Sequence, residues 1–452
     1  MNHKTLRGIR SFALLFTVVS ATAAMTTPVR ALAEDWLDHE APIAVTKMLA
    51  NISPAGTRPG VVIASPSRTN PDYYFHWIRD SALVMEVVTK THGHLDVDGP
   101  LSNEKLALRK MLLDFADFSH QIQNTHALTG LGEPKFNVDG SSFTGPWARP
   151  QNDGPALRAI TLIQFAEQLM NEGQGAFVKS FLYDGKLPSK STIKADLEYV
   201  ANHWKLPSFD LWEETKGDHF YTRMVQRKAL LLGSSLAARL GDSQASAWYL
   251  EQARALQKEI EKHWDASKGI IVATLNRVGG IDYKGSGIDS AVVLGVLHGD
   301  TGDGFFSVKD FRVQATMKVI EDAFRRLYPI NSEAGVPGVA IGRYPEDRYA
   351  GTDFNGGNPW VLSTLAFAEA HYRAATEFAK MGDPRQSDEH LVRAGEFVGR
   401  VQKYVGPDGS MAEQIQRVSG KLMSASDLTW NYAAVLTTYQ ARQAAHARRL
   451  AR

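Results

Sequence analysis

Cysteine is absent from this 452-residue chain. That excludes a disulfide framework, a thiolate zinc site and a cysteine nucleophile. An excess of one charge sign is also missing: 50 basic residues face 49 acidic ones, for a net charge of +1, and no long basic run occurs. Nucleic acid is therefore not expected as a partner. Beyond the first thirty residues, no apolar run approaches the ~18 residues of a membrane span, so no membrane is expected as a partner either. The GxxxxGK[ST], GxSxG and HExxH patterns of phosphate-binding loops, serine hydrolases and zinc proteases do not occur. Gly130-Leu131-Gly132 begins like a dinucleotide fingerprint but lacks the third glycine and the preceding strand. The 14 histidines are scattered without ligand spacing, so no metal and no cofactor is expected.

What is present begins with a leader. Residues 1–33 contain Lys4, Arg7, Arg10 and Arg30, no acidic residue, an apolar stretch over 12–25, and the small-residue end Ala31-Leu32-Ala33. This layout predicts a signal peptide over 1–33, cleaved before Glu34 with Ala23 as a second candidate, and export to the periplasm or the medium. A membrane anchor is the alternative, but the stretch is too short to span a bilayer.

The whole chain is 44% hydrophobic and 22% charged, which excludes disorder and coiled coil. Apolar residues recur at three- and four-residue spacing over 35–50, 78–91, 104–124, 155–173, 192–203, 218–240, 243–264, 288–298, 312–328, 358–380, 387–404 and 426–449. Strand patterns are few and short, the best at 269–275. No Gly/Ser- or Pro-rich linker divides the chain, so 34–452 reads as one all-α domain. Six long loops rich in Gly, Pro and aromatics separate helix pairs, and long loops in compact domains are usually functional. Helical hairpins grouped around one site are the expected arrangement.

Those loops share a chemistry. Tyr73-Tyr74-Phe75-His76-Trp77-Ile78-Arg79-Asp80 leads into a helix, with helix capping as the plain alternative for Asp80. Trp147 and Arg149 follow a Gly- and Pro-rich loop. Asp210-Leu211-Trp212-Glu213-Glu214 pairs two carboxylates, which as neighbours point in different directions. A Glu beside a Trp can have its pKa raised by desolvation, which suits a general acid; an acidic helix start is the alternative. Gly342-Arg343-Tyr344 leads towards Gly357-Asn358-Pro359-Trp360. Glu413 lies in a loop ahead of Asp427 and Trp430, and a plain surface glutamate is its alternative. Aromatics stack sugar rings, and glycosidic cleavage needs two carboxylates, one protonated and one ionised.

The segments 71–80, 132–155, 210–214, 342–360 and 410–430 resemble, in order, the glucoamylase (glucan 1,4-α-glucosidase) family of inverting glycoside hydrolases. The likeness implies an (α/α)6 barrel, which fits the count of about twelve helical patterns. It implies an enzyme that releases glucose from the non-reducing ends of α-1,4-linked glucans, and more slowly from α-1,6 linkages; a monomer is expected. Carried over by motif, Glu213 becomes the general acid and Glu413 the general base. Arg79, Asp80, Glu214 and Arg343 would bond the terminal sugar's hydroxyls. Tyr73, Trp77, Trp147, Trp212 and Trp430 would form aromatic walls, with Leu211 adding its backbone. On this reading the acid's pKa is raised and the base's is not. Two places depart from the family pattern: Thr352-Asp353-Phe354 lengthens one loop, and Ala148 stands where a glycine is usual. Helical periodicity to about Arg449 leaves no room for a β-rich starch-binding module, so poor handling of granular starch is expected. The alternatives are a related enzyme acting on trehalose, dextran or isomaltose, a non-catalytic carbohydrate-binding protein, and a metal-assisted or lyase mechanism.

Overall fold

The structure of the chain, a computed structural model, describes residues 28–95 and 102–450. The expected leader lies outside the described residues up to position 27, and the first helix begins at Pro28, six residues ahead of the expected cleavage position. Among the described residues, twelve helices are nine residues or longer. They are α1 (Pro28–Ala50), α2 (Ile78–His94), α3 (Asn103–Asn124), α4 (Gly154–Asn171), α5 (Thr192–His203), α6 (Phe220–Leu240), α7 (Ser243–Glu261), α8 (Ala291–Gly299), α9 (Phe311–Leu327), α10 (Val361–Lys380), α11 (Pro384–Gln402) and α12 (Thr429–Leu450). Each predicted helix has a counterpart. Pro359, which suits a first helical turn, lies two residues ahead of α10, and the expected strand over 269–275 is split between Ile270–Ile271 and Thr274–Gly280.

The even-numbered helices form a closed inner ring: α2 packs on α4, α4 on α6, α6 on α8, α8 on α10, α10 on α12, and α12 back on α2. The odd-numbered helices lie outside, so the fold is an (α/α)6 barrel. Burial follows this division. Outer helix α9 buries one stripe, Val313, Thr316, Met317, Ile320 and Phe324, while Lys318 and Asp322 pair on its wet face. Inner helix α10 is buried nearly all round, from Val361 through His371. Its six alanines allow close packing, as does Gly299 of α8, where a Cβ would stand 2.7–3.0 Å from Met224.

Helix starts differ in a similar way, outer helix α5 excepted, where Ser191 makes no cap bond. Outer helices α3, α7, α9 and α11 carry side-chain caps from Ser102, Asp242, Asp310 and Asp383. Inner helices α2, α4, α6, α8 and α10 carry none. Their N-terminal ends sit instead among the long loops, and each loop hydrogen-bonds to the next through its backbone. The six junctions are Ile78 N to Pro134 O (2.9 Å), Phe209 N to Pro150 O (2.8 Å), Phe220 N to Ala273 O (2.9 Å), Ser290 N to Arg343 O (2.8 Å), Ile415 N to Pro359 O (2.9 Å) and Thr429 N to Ala64 O (2.9 Å). The last closes the ring across 365 positions, reinforced by the Thr429 hydroxyl donating to Ile63 O at 2.6 Å. A rim of six loops thus stands at one end of the barrel.

Candidate active site

The rim encloses a cavity of about 710 Å³. All twelve residues singled out in the sequence line it: Tyr73, Trp77, Arg79, Asp80, Trp147, Leu211, Trp212, Glu213, Glu214, Arg343, Glu413 and Trp430. Trp430 and Leu362 also border a second cavity of about 350 Å³, which all six inner helices line further down the barrel. These two side chains therefore stand between the two cavities and form a floor to the upper one.

Glu213 stands on a tight turn. Asp210 folds the chain back by accepting from Glu214 N (2.8 Å) and Thr215 N (3.0 Å), and Glu213 N donates to Asp210 O at 2.9 Å. The turn holds Glu213 at φ +66°, a left-handed conformation that costs a non-glycine residue about 1–3 kcal/mol. Three donors meet its carboxylate: Trp77 Nε1 at 2.7 Å and Arg79 Nη2 at 3.2 Å on Oε1, and Trp147 Nε1 at 2.6 Å on Oε2. Trp147 is itself positioned by Arg149, whose guanidinium donates to Glu133 (2.6 Å), Gly145 O and Phe143 O (both 2.9 Å).

Glu214 points away from its neighbour. It accepts from Arg343 Nη2 at 2.8 Å and from the Tyr344 hydroxyl at 2.5 Å. Burial pushes its carboxyl up, opposed by the Arg343 charge. Arg343 is buried and forks onto Asp347 (2.8 and 2.6 Å). Trp212 anchors its wall by donating to Asp289 at 2.9 Å.

Asp80 does not cap α2. The N-cap position is Trp77, and Asp80 lies in the helix's first turn, facing the pocket. Arg79 Nε lies 3.5 Å from Asp80 Oδ2, while the Arg79 fork reaches Gln151 (2.9 Å) and Asp153 (3.0 Å). Arg79 Nε and Asp80 Oδ2 are buried without a hydrogen bond. Burial raises the Asp80 carboxyl to about 6, against the pull of Arg79 and with the push of Glu213 and Asp153.

Glu413 reaches the pocket from the loop preceding α12 and is 1% exposed, so it is no surface glutamate. Ser424, on the returning arm of a short hairpin, donates to Oε2 at 2.5 Å, and Gln414 donates at 3.1 Å. Tyr73 also bonds it, and the Tyr73 and Tyr349 hydroxyls lie 3.0 Å apart. The expectation that this carboxyl stays unraised fails. Burial pushes it above the usual glutamate value, and the Ser424 and Tyr73 bonds and the Arg343 charge oppose the shift without cancelling it.

Several pocket residues were not assigned from sequence. Lys135 is buried, with Nζ 3.2 Å from the Trp147 ring centre, 4.2 Å from Phe143, 4.3 Å from Trp77 and 4.5 Å from Phe75. Desolvation pulls its pKa down to about 8, with the Glu213 charge opposing. Tyr349, Trp360, Phe143, Phe75 and Phe354 complete the aromatic lining.

Residues 42–440 match the family described as Glycosyl hydrolases family 15. The chain is 39% identical to a glucoamylase of Blastobotrys adeninivorans over 90% of this chain and 72% of that one. It is 36% identical to glucoamylase 1 of Rhizopus oryzae over 91% and 71%. Among solved structures, the glucoamylase from Saccharomycopsis fibuligera superposes with a TM-score of 0.82 at 29% identity, covering 96% of this chain and 99% of that one.

Proposed function

Because this chain belongs to family 15 of the glycosyl hydrolases, we propose that it is an exo-acting glucan hydrolase. It releases glucose from the non-reducing ends of α-1,4-linked glucans, and more slowly from α-1,6 linkages, with inversion. The observation that carries this reading is the floored pocket, with Glu213 and Glu413 on its wall from loops 200 positions apart. Trp430 and Leu362 block passage of a chain beyond the terminal sugar, so cleavage proceeds one glucose at a time from an end.

Glu213 acts as the general acid. Its proton passes to the glycosidic oxygen as the C1–O bond breaks, and the shortened glucan leaves through the mouth. Glu413 acts as the general base: it takes a proton from a water whose oxygen bonds to C1 from the opposite face, giving β-glucose. Exchange with solvent then resets both carboxyls. Trp77, Trp147 and Arg79 hold Glu213 in place, and Ser424 and Tyr73 hold Glu413. Asp80, Arg79, Arg343 and Glu214 bond the hydroxyls of the terminal glucose, with Leu211 offering its backbone and Tyr73, Trp212 and Trp430 framing the ring. One chain supplies the whole pocket, which supports action as a monomer. Export, with removal of residues 1–33, follows from the basic and apolar start of the sequence. Among the described residues no helix is long and apolar enough to cross a membrane.

Comparing glucose release from maltotriose, isomaltotriose and trehalose tests the substrate reading. Fast glucose release from maltotriose, slower release from isomaltotriose and none from trehalose is expected. Preference for trehalose or isomaltotriose would overturn it.

A further inference from the structure

The floor makes the pocket blind, so a glucan bound by its terminal glucose must run outward past the rim. One lip of that rim is built by the loop over 349–357, from which Gly351, Thr352 and Phe354 line the cavity. Phe354 lines the cavity yet is 69% exposed, tied with one other side chain as the second most exposed large hydrophobic in the described chain. A phenylalanine left this open at a pocket mouth gives up apolar burial worth about 1.5–3 kcal/mol when complete.

Its loop is held in shape. Ala350 N donates to Asp353 O at 2.8 Å, Asn355 N to Asp353 Oδ1 at 3.0 Å, and Gly356 N to Arg348 O at 3.0 Å. Gly351 sits at φ +87°, where a Cβ would stand 2.6–2.7 Å from the Ser424 side chain, so only glycine lets the loop lie this close. The other face of the loop continues inward. The Phe354 and Tyr349 rings lie 6.1 Å apart, and Tyr349 meets Tyr73, which bonds Glu413. Phe354 is thus the outer end of a chain of side chains leading to the base, and Ser424, which the loop overlies, is another of the base's supports.

We propose that Phe354 is a stacking platform for the glucan on the leaving side of the scissile bond, and that it sets a preference for α-1,4-linked chains longer than maltose. This rests on the exo-hydrolase reading above. Sugar rings present apolar C–H faces, and covering an exposed aromatic ring with one removes apolar area from water. Maltose places one glucose beyond the scissile bond, inside the pocket. Longer chains place a second and third at the lip, where Phe354 stands. Binding energy from those remote units can serve the transition state, because their contact bears on the residues that position Glu413.

The test is kcat/KM on maltose, maltotriose and maltopentaose for the wild type, Phe354→Ala and Phe354→Trp, with Tm recorded for each. The inference expects the maltopentaose-to-maltose ratio to fall about fivefold to tenfold in Phe354→Ala, as loss of most of one ring's burial implies. Phe354→Trp should keep or exceed the wild-type ratio. An unchanged ratio in Phe354→Ala, or an equal loss on all three substrates, would overturn the platform while leaving the exo-hydrolase reading intact. A wild type that releases no glucose from any of them would overturn that reading and this inference together.

Discussion

Trp147 donates its indole N–H to Glu213 at 2.6 Å, although the residue stands at the pocket mouth and is 37% exposed. An aromatic that looks like part of the substrate wall is therefore also a support of the acid. Trp147→Phe keeps most of the ring and removes the donor. A hydrogen bond to a charged group is worth about 1.5–3 kcal/mol, so kcat should fall roughly 10- to 150-fold while KM changes far less. Steady-state kinetics on maltotriose check this; a rise in KM with kcat intact would make Trp147 a wall alone.

The base controls the acid side of the pH profile. Glu413 must be ionised to accept a proton, so activity rises as pH climbs through its pKa, which burial already raises. The Ser424 hydroxyl stabilises the ionised form. Ser424→Ala should raise that pKa further and move the acid limb of kcat/KM to higher pH, costing activity at low pH first. A limb that stays in place or moves down would contradict the assignment.

Asp80 lines the pocket with its side chain 14% exposed, and its carboxylate lies 3.5 Å from Arg79 Nε. Asp80→Asn keeps the shape and removes the charge. The expected loss is about 2–3 kcal/mol of transition-state binding, or 30- to 150-fold in kcat/KM, with Tm unchanged or raised because a desolvated carboxylate is removed. A variant with wild-type kcat/KM would show that Asp80 does not touch substrate.

Ring closure predicts a stability effect remote from the chemistry. The Thr429 hydroxyl donates to Ile63 O and Ala64 O and accepts from Asn51 Nδ2 at 2.9 Å, all buried. Thr429→Val matches its size but strands those groups, and should cost about 2–3 kcal/mol in urea unfolding. A loss below about 0.5 kcal/mol would mean that the first and last loops are joined by other contacts.

The barrel was legible because each helix wears its environment: stripes in the outer ring, near-continuous apolar runs in the inner one. All twelve chosen residues meet at one cavity because the motifs sit in loops that precede inner helices. Three-dimensional facts were harder to read. Lys135 looks like an ordinary loop lysine; its cage comes from residues 75, 77, 143 and 147, in two loops joined by the His76–Trp77 and Lys135–Phe136 strand pair. Ser424 reaches Glu413 across a hairpin from eleven positions on, a pairing that no motif in the sequence marks. The burial of Glu413 had no local sign, since its walls are Tyr73 and Tyr349 from other loops. Capping, the alternative for Asp80, does not hold because the helix begins at Ile78, three residues before the start at Ser81 that a cap at Asp80 requires.

The central claim is inversion by Glu213 and Glu413 across one blind pocket. Proton NMR during the first turnovers on maltotriitol tests it most directly, because this substrate has no reducing end and every new anomeric signal is product. The account predicts β-glucose first, with the α anomer growing in only as mutarotation proceeds. Early α-glucose would contradict it.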